Sequence, residues 1–215
     1  MAIDKKEIMK QQRERMIREH LTSRDITDQR VIDAMRETER ELFIQEKYFV
    51  DAYGDHPLPI GHGQTISQPY IVALMSQLCE FTGEEKVLEI GCGSGYQAAI
   101  LSKLAKQIFS IERIEALANK AEQILSDTGC SNVNVIHGDG FDGYPAAAPF
   151  DVILLTAAPD RIPQKLIDEL ADEGRLIAPV GESVQKLVKI TKKGDNIHTE
   201  IITYVRFVPM VKGSN

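Results

Sequence analysis

Three glycines alternate with other residues in one short segment, Glu-Ile-Gly-Cys-Gly-Ser-Gly at positions 89–95. The segment joins the end of the apolar run 86–91 to the start of a helical pattern over 95–104, which predicts a turn from strand to helix. Glycines let the backbone approach a ligand, and the free N–H groups at a helix start attract a carboxylate or a phosphate. The pattern predicts a nucleotide-like ligand, unless the glycines serve the turn alone. The predicted binding residues are Glu89, Gly91, Cys92, Gly93, Ser94 and Gly95, with Cys92 contributing its backbone rather than its thiol.

Two acidic residues follow the glycine segment at the ends of the next two strand-like runs. Glu112 ends the run 107–112, about 20 residues after the glycines, where a carboxylate can bind both hydroxyls of a ribose. Asp139 and Gly140 stand at the exit of the run 132–140, where a carboxylate can accept a hydrogen bond from an adenine amino group. Each acid alone could be a solvated loop charge. Together, at successive strand ends on one side of a sheet, they favour a shared ligand.

The spacing of the glycines separates two classes of ligand. A dinucleotide-binding loop has the pattern G-x-G-x-x-G. Here the third glycine comes one position early, at Gly95, and Tyr96 takes its expected place. The compact form is similar to loops that bind S-adenosylmethionine, where a methionine carboxylate and ammonium replace the pyrophosphate. An NAD-dependent oxidoreductase remains the weaker alternative.

The order of elements indicates the fold that positions these residues. Strand-like runs alternate with helical patterns, which predicts right-handed βαβ units in a doubly wound, mostly parallel, Rossmann-like sheet. Two strand-like runs around KKGDN, within 186–209, predict a C-terminal antiparallel hairpin and bring the sheet to seven strands. The other predicted strands are 86–91, 107–112, 132–140, 150–159 and 174–181, and the helices between them are 95–104, 115–127 and 162–170.

The N-terminal part has a different character. Helical patterns over 5–21 and 28–37 predict a helical cap, and a further amphipathic helix begins near Ile71. Between them, residues 53–69 hold three prolines and three glycines, which predicts a long irregular loop with a functional role. We expect one domain over 1–215, with the cap and active-site loop in 1–82 and the cofactor-binding core in 83–215.

Composition and charge exclude several classes of protein. A net charge of −7 disfavours a duplex nucleic-acid binder. Without an apolar run near 18 residues we expect no membrane span, and the charged N-terminus lacks the centre of a signal peptide, so we expect a cytoplasmic protein. Three cysteines without C-x-x-C spacing predict free thiols and no metal site.

Similarity to known proteins is concentrated in five segments. They are AYGDHPLPIGHGQTISQP (52–69), VLEIGCGSGYQAAIL (87–101), TAAP (156–159), GRLIAPVG (174–181) and RFVPM (206–210). Together they resemble the protein-L-isoaspartate O-methyltransferase family. Glycine loops of this kind occur in many methyltransferases, so the stretch GQTISQP carries most of the resemblance. The family often has R-x-x-F-V-P near the N-terminus, whereas this chain reads Arg-Glu-Leu-Phe-Ile-Gln at 40–45.

The resemblance implies a class I methyltransferase fold, S-adenosylmethionine as cofactor, S-adenosylhomocysteine as product, and a monomer. The implied reaction methylates the free α-carboxylate of L-isoaspartyl residues in damaged peptides and proteins, which starts their repair to L-aspartyl through a succinimide. It also implies that Ser67 is the active-site serine. The implied substrate-binding residues are Thr65, Ile66, Val208 and Pro209.

The chemistry of this reaction limits what the protein must supply. A carboxylate nucleophile is ionised at neutral pH and needs no general base, so we expect alignment of the reactants and exclusion of water to dominate. The Ser67 hydroxyl would hold one carboxylate oxygen, although Ser67 could instead cap the helix that follows it. Two other functions stay open: methylation of another acceptor, such as a small molecule or RNA, and a catalytically inactive S-adenosylmethionine-binding protein.

Overall fold

The chain begins with the helices of the N-terminal cap. In the computed structural model, which describes residues 5–214, helix α1 spans Lys5–Met16 and continues as a π-helical segment, Ile17–Thr22. Helix α2 spans Gln29–Glu37 and begins as predicted, because the Asp28 carboxylate accepts a hydrogen bond from the N–H of Arg30. The first four residues, on which part of the signal-peptide argument depended, lie outside the described residues. Two 3₁₀ segments that the sequence did not predict follow, Arg40–Phe43 and Glu46–Asp51.

The prediction that residues 53–69 contain no regular structure was wrong. Strand β1, Leu58–Gly61, pairs antiparallel with strand β2, Gln64–Ile66. The two connecting residues, His62 and Gly63, have φ angles of 52° and 71°, the positive values that a tight hairpin turn of the primed type needs. Prolines are tolerated because both strands of a two-stranded sheet are edge strands. The hairpin leads directly to Ser67 and to helix α3, Pro69–Leu78.

A seven-stranded sheet forms the centre of the molecule and confirms the predicted fold. Its strands are β3 (Lys86–Ile90), β4 (Gln107–Glu112), β5 (Val133–His137), β6 (Phe150–Leu155), β7 (Leu170–Val180), β8 (Gln185–Lys193) and β9 (Asn196–Val205). Their order across the sheet is β5-β4-β3-β6-β7-β8-β9. The first five run parallel, and β8 and β9 form the predicted antiparallel hairpin, which places β9 at the edge.

The connecting helices are α4 (Tyr96–Ser102), α5 (Glu115–Asp127) and α6 (Gln164–Asp168). Helix α6 is shorter than the predicted 162–170, because Leu170 already pairs with Phe150 as the start of β7. The strand predicted at 174–181 therefore begins four residues earlier, at Leu170. Within residues 5–214, no helix is long and apolar enough to cross a membrane.

Both faces of the central strands are buried, as a doubly wound sheet requires. Alternate side chains point to opposite faces: Val87 and Val152 join the hydrophobic cluster under the cap, and Leu88 joins the cluster that contains Leu166 of α6. Cap residues such as Met35 belong to the first of these clusters together with the core strands. The shared cluster supports the proposal that 1–82 and 83–215 are parts of one folding unit.

Met35→Ala tests whether the cap and the sheet unfold together. Met35 is fully buried, and its sulfur lies 3.8 Å from the hydroxyl of Tyr96 in α4. Truncation should lower the free energy of unfolding by about 2–5 kcal/mol, because it leaves a cavity between cap and core. Urea unfolding followed by far-ultraviolet circular dichroism and by tyrosine fluorescence should give coincident single transitions. Separate transitions would show that the cap is an independent unit.

Candidate active site

The glycine loop connects β3 to α4 and is clamped against the end of β6. The hydroxyl of Thr156, just after β6, donates hydrogen bonds to the carbonyl oxygens of Ile90, at 3.0 Å, and of Gly91. Gly91 has a φ of 97°, and a Cβ at this position would collide with the Thr156 hydroxyl. Only glycine tolerates both the positive φ and the close approach of Thr156. The loop backbone can therefore lie close to the carboxyl ends of the central strands.

The other loop residues form the start of helix α4. Gly95 is its N-cap, with a φ of 87° and α5 side chains packed closely beside it. The Ser94 hydroxyl accepts a hydrogen bond from the N–H of Tyr96 at 3.3 Å. Cys92 is buried, and burial raises the pKa of its thiol well above the usual value. A neutral, buried thiol is not exposed to a ligand, and the backbone role of Cys92 stays a prediction.

Glu112 holds the glycine loop from the neighbouring strand. One carboxylate oxygen accepts a hydrogen bond from the N–H of Gly93 at 2.8 Å, and the other accepts from the N–H of Ile114 at 2.9 Å. Each carboxylate oxygen has a second lone pair, so the same group can also accept from ribose hydroxyls. Its position at the end of β4, beside the loop, matches the position that the sequence indicated.

Glu89 is a wholly buried acid beneath the loop. One carboxyl oxygen accepts a hydrogen bond from the Ser110 hydroxyl, and the other, Oε1, has no hydrogen-bond partner among the residues described. Burial raises the pKa of this carboxyl to about 8, against the opposing effect of the Ser110 hydrogen bond. An orphaned buried acceptor beside a glycine loop fits the ammonium group of a methionine moiety, so the residues present fit S-adenosylmethionine.

A narrow cavity of about 60 Å³ lies at the carboxyl ends of β3 and β4. Among the predicted cofactor residues, it is lined by Gly91, Glu112 and Gly140. A Cβ on Gly140 would collide with Ile90, which explains the glycine there. Lining residues that the sequence did not indicate are Gln64, Ile90, Ile111, Arg113, Ile114, Ala157, Met210 and Val211. Pro209, predicted to contact substrate, also lines this cavity.

Asp139, unlike Gly140, does not line this cavity and lines a neighbouring one instead. Its carboxylate accepts hydrogen bonds from the N–H of Phe141 at 2.9 Å and from the N–H of Gly213 at 2.6 Å. The carbonyl of Gly213 in turn accepts from Arg113 Nε at 3.0 Å. The C-terminal segment is thus bonded to the acid that the sequence indicated for an adenine amino group.

Ser67 follows β2 and does not cap helix α3, so the alternative role considered for it was wrong. The N-cap is Gln68, and the carboxylate of Asp55 accepts from the N–H of Tyr70 at 3.2 Å and from Gln68 Nε2 at 2.7 Å. Because Asp55 serves the helix start, the Ser67 hydroxyl is left without a hydrogen bond to any residue within 5–214. It is half-buried and free to meet a ligand.

The cavity beside Ser67 measures about 680 Å³. Thr65 and Val208 line it, as the resemblance implied, whereas Ile66 is buried in the hydrophobic core. Thr156 lines it as well, so the residue that clamps the glycine loop also borders this cavity. The other lining residues are Pro57, Gln68, Ile71, Tyr204, Val205, Arg206 and Phe207.

In the described part of the chain, no cluster of three or more His, Cys, Asp or Glu side chains is placed to hold a metal ion.

The fold and the site together define a class. A seven-stranded sheet with a glycine loop after its first parallel strand and acids after the next two is the architecture of class I S-adenosylmethionine-dependent methyltransferases. The profile of the family protein-L-isoaspartate(D-aspartate) O-methyltransferase matches residues 11–215. The chain belongs to this family and is an S-adenosylmethionine-dependent methyltransferase.

Two curated relatives illustrate the similarity in sequence. The chain is 52% identical to protein-L-isoaspartate O-methyltransferase 2 of Shewanella sediminis, over 92% of this chain and 82% of that protein. It is also 52% identical to the protein-L-isoaspartate O-methyltransferase of Methanoregula boonei, over 93% of both chains.

Solved structures show the same fold. One protein-L-isoaspartate O-methyltransferase superposes with a TM-score of 0.85 at 28% identity, covering 92% of this chain, which spans 65% of that protein's length. A putative protein-L-isoaspartate O-methyltransferase from Plasmodium falciparum, in complex with S-adenosyl-L-homocysteine, superposes with a TM-score of 0.81 at 26% identity, covering 95% of this chain and 99% of that one.

Glu89→Gln should change how stability depends on pH in the absence of cofactor. The raised pKa means that the folded wild type keeps a proton that the unfolded chain releases near its ordinary pKa of 4.5. The stabilisation from protonated Glu89 is complete at low pH and is lost as the pH rises to about 8, by at most about 1.4 kcal/mol per pH unit. Glutamine has no such proton, so the variant should gain stability relative to wild type over this range.

Urea unfolding of the wild type and of Glu89→Gln at intervals from pH 5 to pH 9 measures the difference. Glu122→Gln, on the exposed face of α5, is the matched control and should follow the wild type at every pH. Parallel curves for Glu89→Gln and wild type would mean that Glu89 is already ionised in the folded protein.

Proposed function

We propose that this chain transfers a methyl group from S-adenosylmethionine to the free α-carboxylate of L-isoaspartyl residues in damaged peptides and proteins. The ester starts their repair to L-aspartyl through a succinimide. Membership of the family supports this reaction. The observation that carries it is the unbonded hydroxyl of Ser67 in a cavity that shares Thr156 with the glycine loop.

The cofactor would be held by the glycine loop and by the acids around it. When bound, S-adenosylmethionine supplies a methyl group activated by its sulfonium sulfur. Glu89 offers its unpaired carboxyl oxygen to the methionine ammonium, and Glu112 offers its remaining lone pairs to the ribose. Asp139 and Gly140 would meet the adenine. The rest of the proposed set is Gly91, Cys92, Gly93, Ser94 and Gly95.

Ser67 would orient the nucleophile. Its hydroxyl donates to one oxygen of the substrate carboxylate, which leaves the other oxygen free to attack the methyl group. Because the carboxylate is already ionised at neutral pH, the site needs no base, and its contribution is positioning. Thr65 and Val208 line the same cavity, and Ile66 anchors the strand in the core. Pro209, the next residue after Val208, lines the cofactor cavity instead.

Two other functions are less well supported. A different acceptor, such as RNA or a small molecule, does not explain why the hydroxyl of Ser67 is left unbonded in the cavity that shares Thr156 with the glycine loop. The net charge of −7 also disfavours RNA. An inactive cofactor-binding protein does not explain why Ser67 is kept free of the helix cap by Asp55. The proposal further includes a monomer that acts in the cytoplasm without nucleic-acid or membrane partners.

Two synthetic peptides, identical except for one L-isoaspartyl or L-aspartyl residue, test the function. With methyl-labelled S-adenosylmethionine, only the isoaspartyl peptide should yield base-labile methanol. Ser67→Ala should lower kcat/KM by about 10–100-fold, the loss expected for one hydrogen bond to a charged group. Its affinity for S-adenosylhomocysteine should stay within about twofold of wild type.

Ser131→Ala, an exposed serine in the turn before β5, is the control and should match the wild type. Label from neither peptide, with S-adenosylhomocysteine still bound, would contradict the proposed reaction. Full activity of Ser67→Ala would contradict the role of its hydroxyl while leaving the reaction in place.

A further inference from the structure

Arg40 is a charged side chain that is completely buried between the cap and the core. Burial lowers the pKa of its guanidinium, and no carboxylate within residues 5–214 lies at ion-pair distance from it. A buried cation without an anionic partner is costly, and replacing buried charged groups by apolar side chains of similar volume is often neutral or stabilising. The stability of the core therefore does not explain why an arginine lies here.

The hydrogen bonds of Arg40 point to the active site. Its Nη2 donates to the carbonyl oxygen of Ser67 at 2.8 Å, and its Nε donates to the carbonyl oxygen of Ala52 at 2.9 Å. The planar guanidinium fixes both bonds in one rigid geometry. The side chain thus connects the backbone of Ser67 to the segment that precedes the β1–β2 hairpin.

Arg40 also reaches the cofactor side of the site. Its Cζ lies 4.9 Å from the centre of the Tyr96 ring, and Tyr96 is the first residue of α4 after the glycine loop. The ring provides a favourable surface for the cation. One buried side chain therefore contacts both Ser67, which lines the substrate cavity, and the helix that begins at the cofactor loop.

We infer that Arg40 is a positioning residue for methyl transfer: by holding the Ser67 carbonyl, it sets the direction in which the unbonded Ser67 hydroxyl meets the substrate carboxylate. This inference rests on the proposed function. Arg40 has no exposed surface, so it acts through Ser67 and does not touch the substrate. A displacement of about 1 Å at such a group can cost on the order of 100-fold in rate.

A double-mutant cycle separates this role from a general structural one. Arg40→Met, Arg40→Lys and Ser67→Ala are made singly, and each Arg40 variant is also made in the Ser67→Ala background. In wild type, Arg40→Met should lower kcat/KM for the isoaspartyl peptide by about 10–100-fold, while affinity for S-adenosylhomocysteine changes by less than about twofold. Lysine keeps a donor and should retain more activity than methionine. In the Ser67→Ala background, Arg40→Met should cause no further loss.

Arg175→Met is the matched control for loss of a mostly buried arginine. Arg175 Nε donates to the carbonyl oxygen of Cys79 at 2.6 Å, after α3 and away from Ser67. This variant should be less stable but should keep the wild-type kcat/KM at a temperature where it is folded.

If Arg40→Met does not fold, the comparison uses Arg40→Lys in both backgrounds. Where turnover of Ser67→Ala is too low to measure, binding of the isoaspartyl peptide to the S-adenosylhomocysteine complex replaces kcat/KM.

The possible failures are distinguishable. If wild type labels the isoaspartyl peptide but the Arg40 variants lose the same factor with and without the Ser67 hydroxyl, Arg40 has only a structural role and the inference is overturned. The inference is also overturned if Arg40→Met keeps full activity. If wild type labels neither peptide, the proposed function fails first, and the role of Arg40 in methyl transfer fails with it.

Discussion

The contact between Gly91 and Thr156 is the constraint on which the site depends. At the carboxyl ends of two adjacent parallel strands, β3 and β6, the Thr156 hydroxyl bonds the carbonyl oxygens of Ile90 and Gly91, and no side chain fits between them. This holds the glycine loop at the carboxyl ends of the central strands, which is the usual ligand position in doubly wound folds. It also makes Thr156 a common wall of the cofactor loop and the Ser67 cavity.

Two buried polar groups, Glu89 and Arg40, are arranged for the function of the site rather than for stability. Glu89 has an unpaired carboxyl oxygen, and Arg40 has an Nη1 without a partner among residues 5–214. Each arrangement costs free energy in the unliganded protein, because buried charges and orphaned polar atoms are unfavourable. Such costs are typical of functional sites: a bound ligand can pair with Glu89, whereas the cost at Arg40 accompanies its hold on the backbone of Ser67. The apolar clusters on both faces of the sheet supply the stability that tolerates this.

Local patterns in the sequence predicted the sheet, its C-terminal hairpin and the position of Glu112, because period, turn residues and strand ends are local signals. The β1–β2 hairpin was missed because its prolines and glycines are typical of irregular loops. The contacts of Arg40 with Ser67, and of Asp139 with Gly213, join residues 27 and 74 positions apart, which no local pattern indicates. Ser67 resembled a helix cap for the same reason: the side chain that serves α3 is Asp55, from an earlier loop.

The most direct test of the account is a crystal structure of the protein with S-adenosylhomocysteine and an L-isoaspartyl peptide. The account predicts that the Ser67 hydroxyl lies within hydrogen-bond distance of the isoaspartyl α-carboxylate, with Arg40 still bonded to the Ser67 carbonyl and Glu112 bonded to the ribose hydroxyls. A carboxylate held by other groups, with the Ser67 hydroxyl turned away, would contradict it.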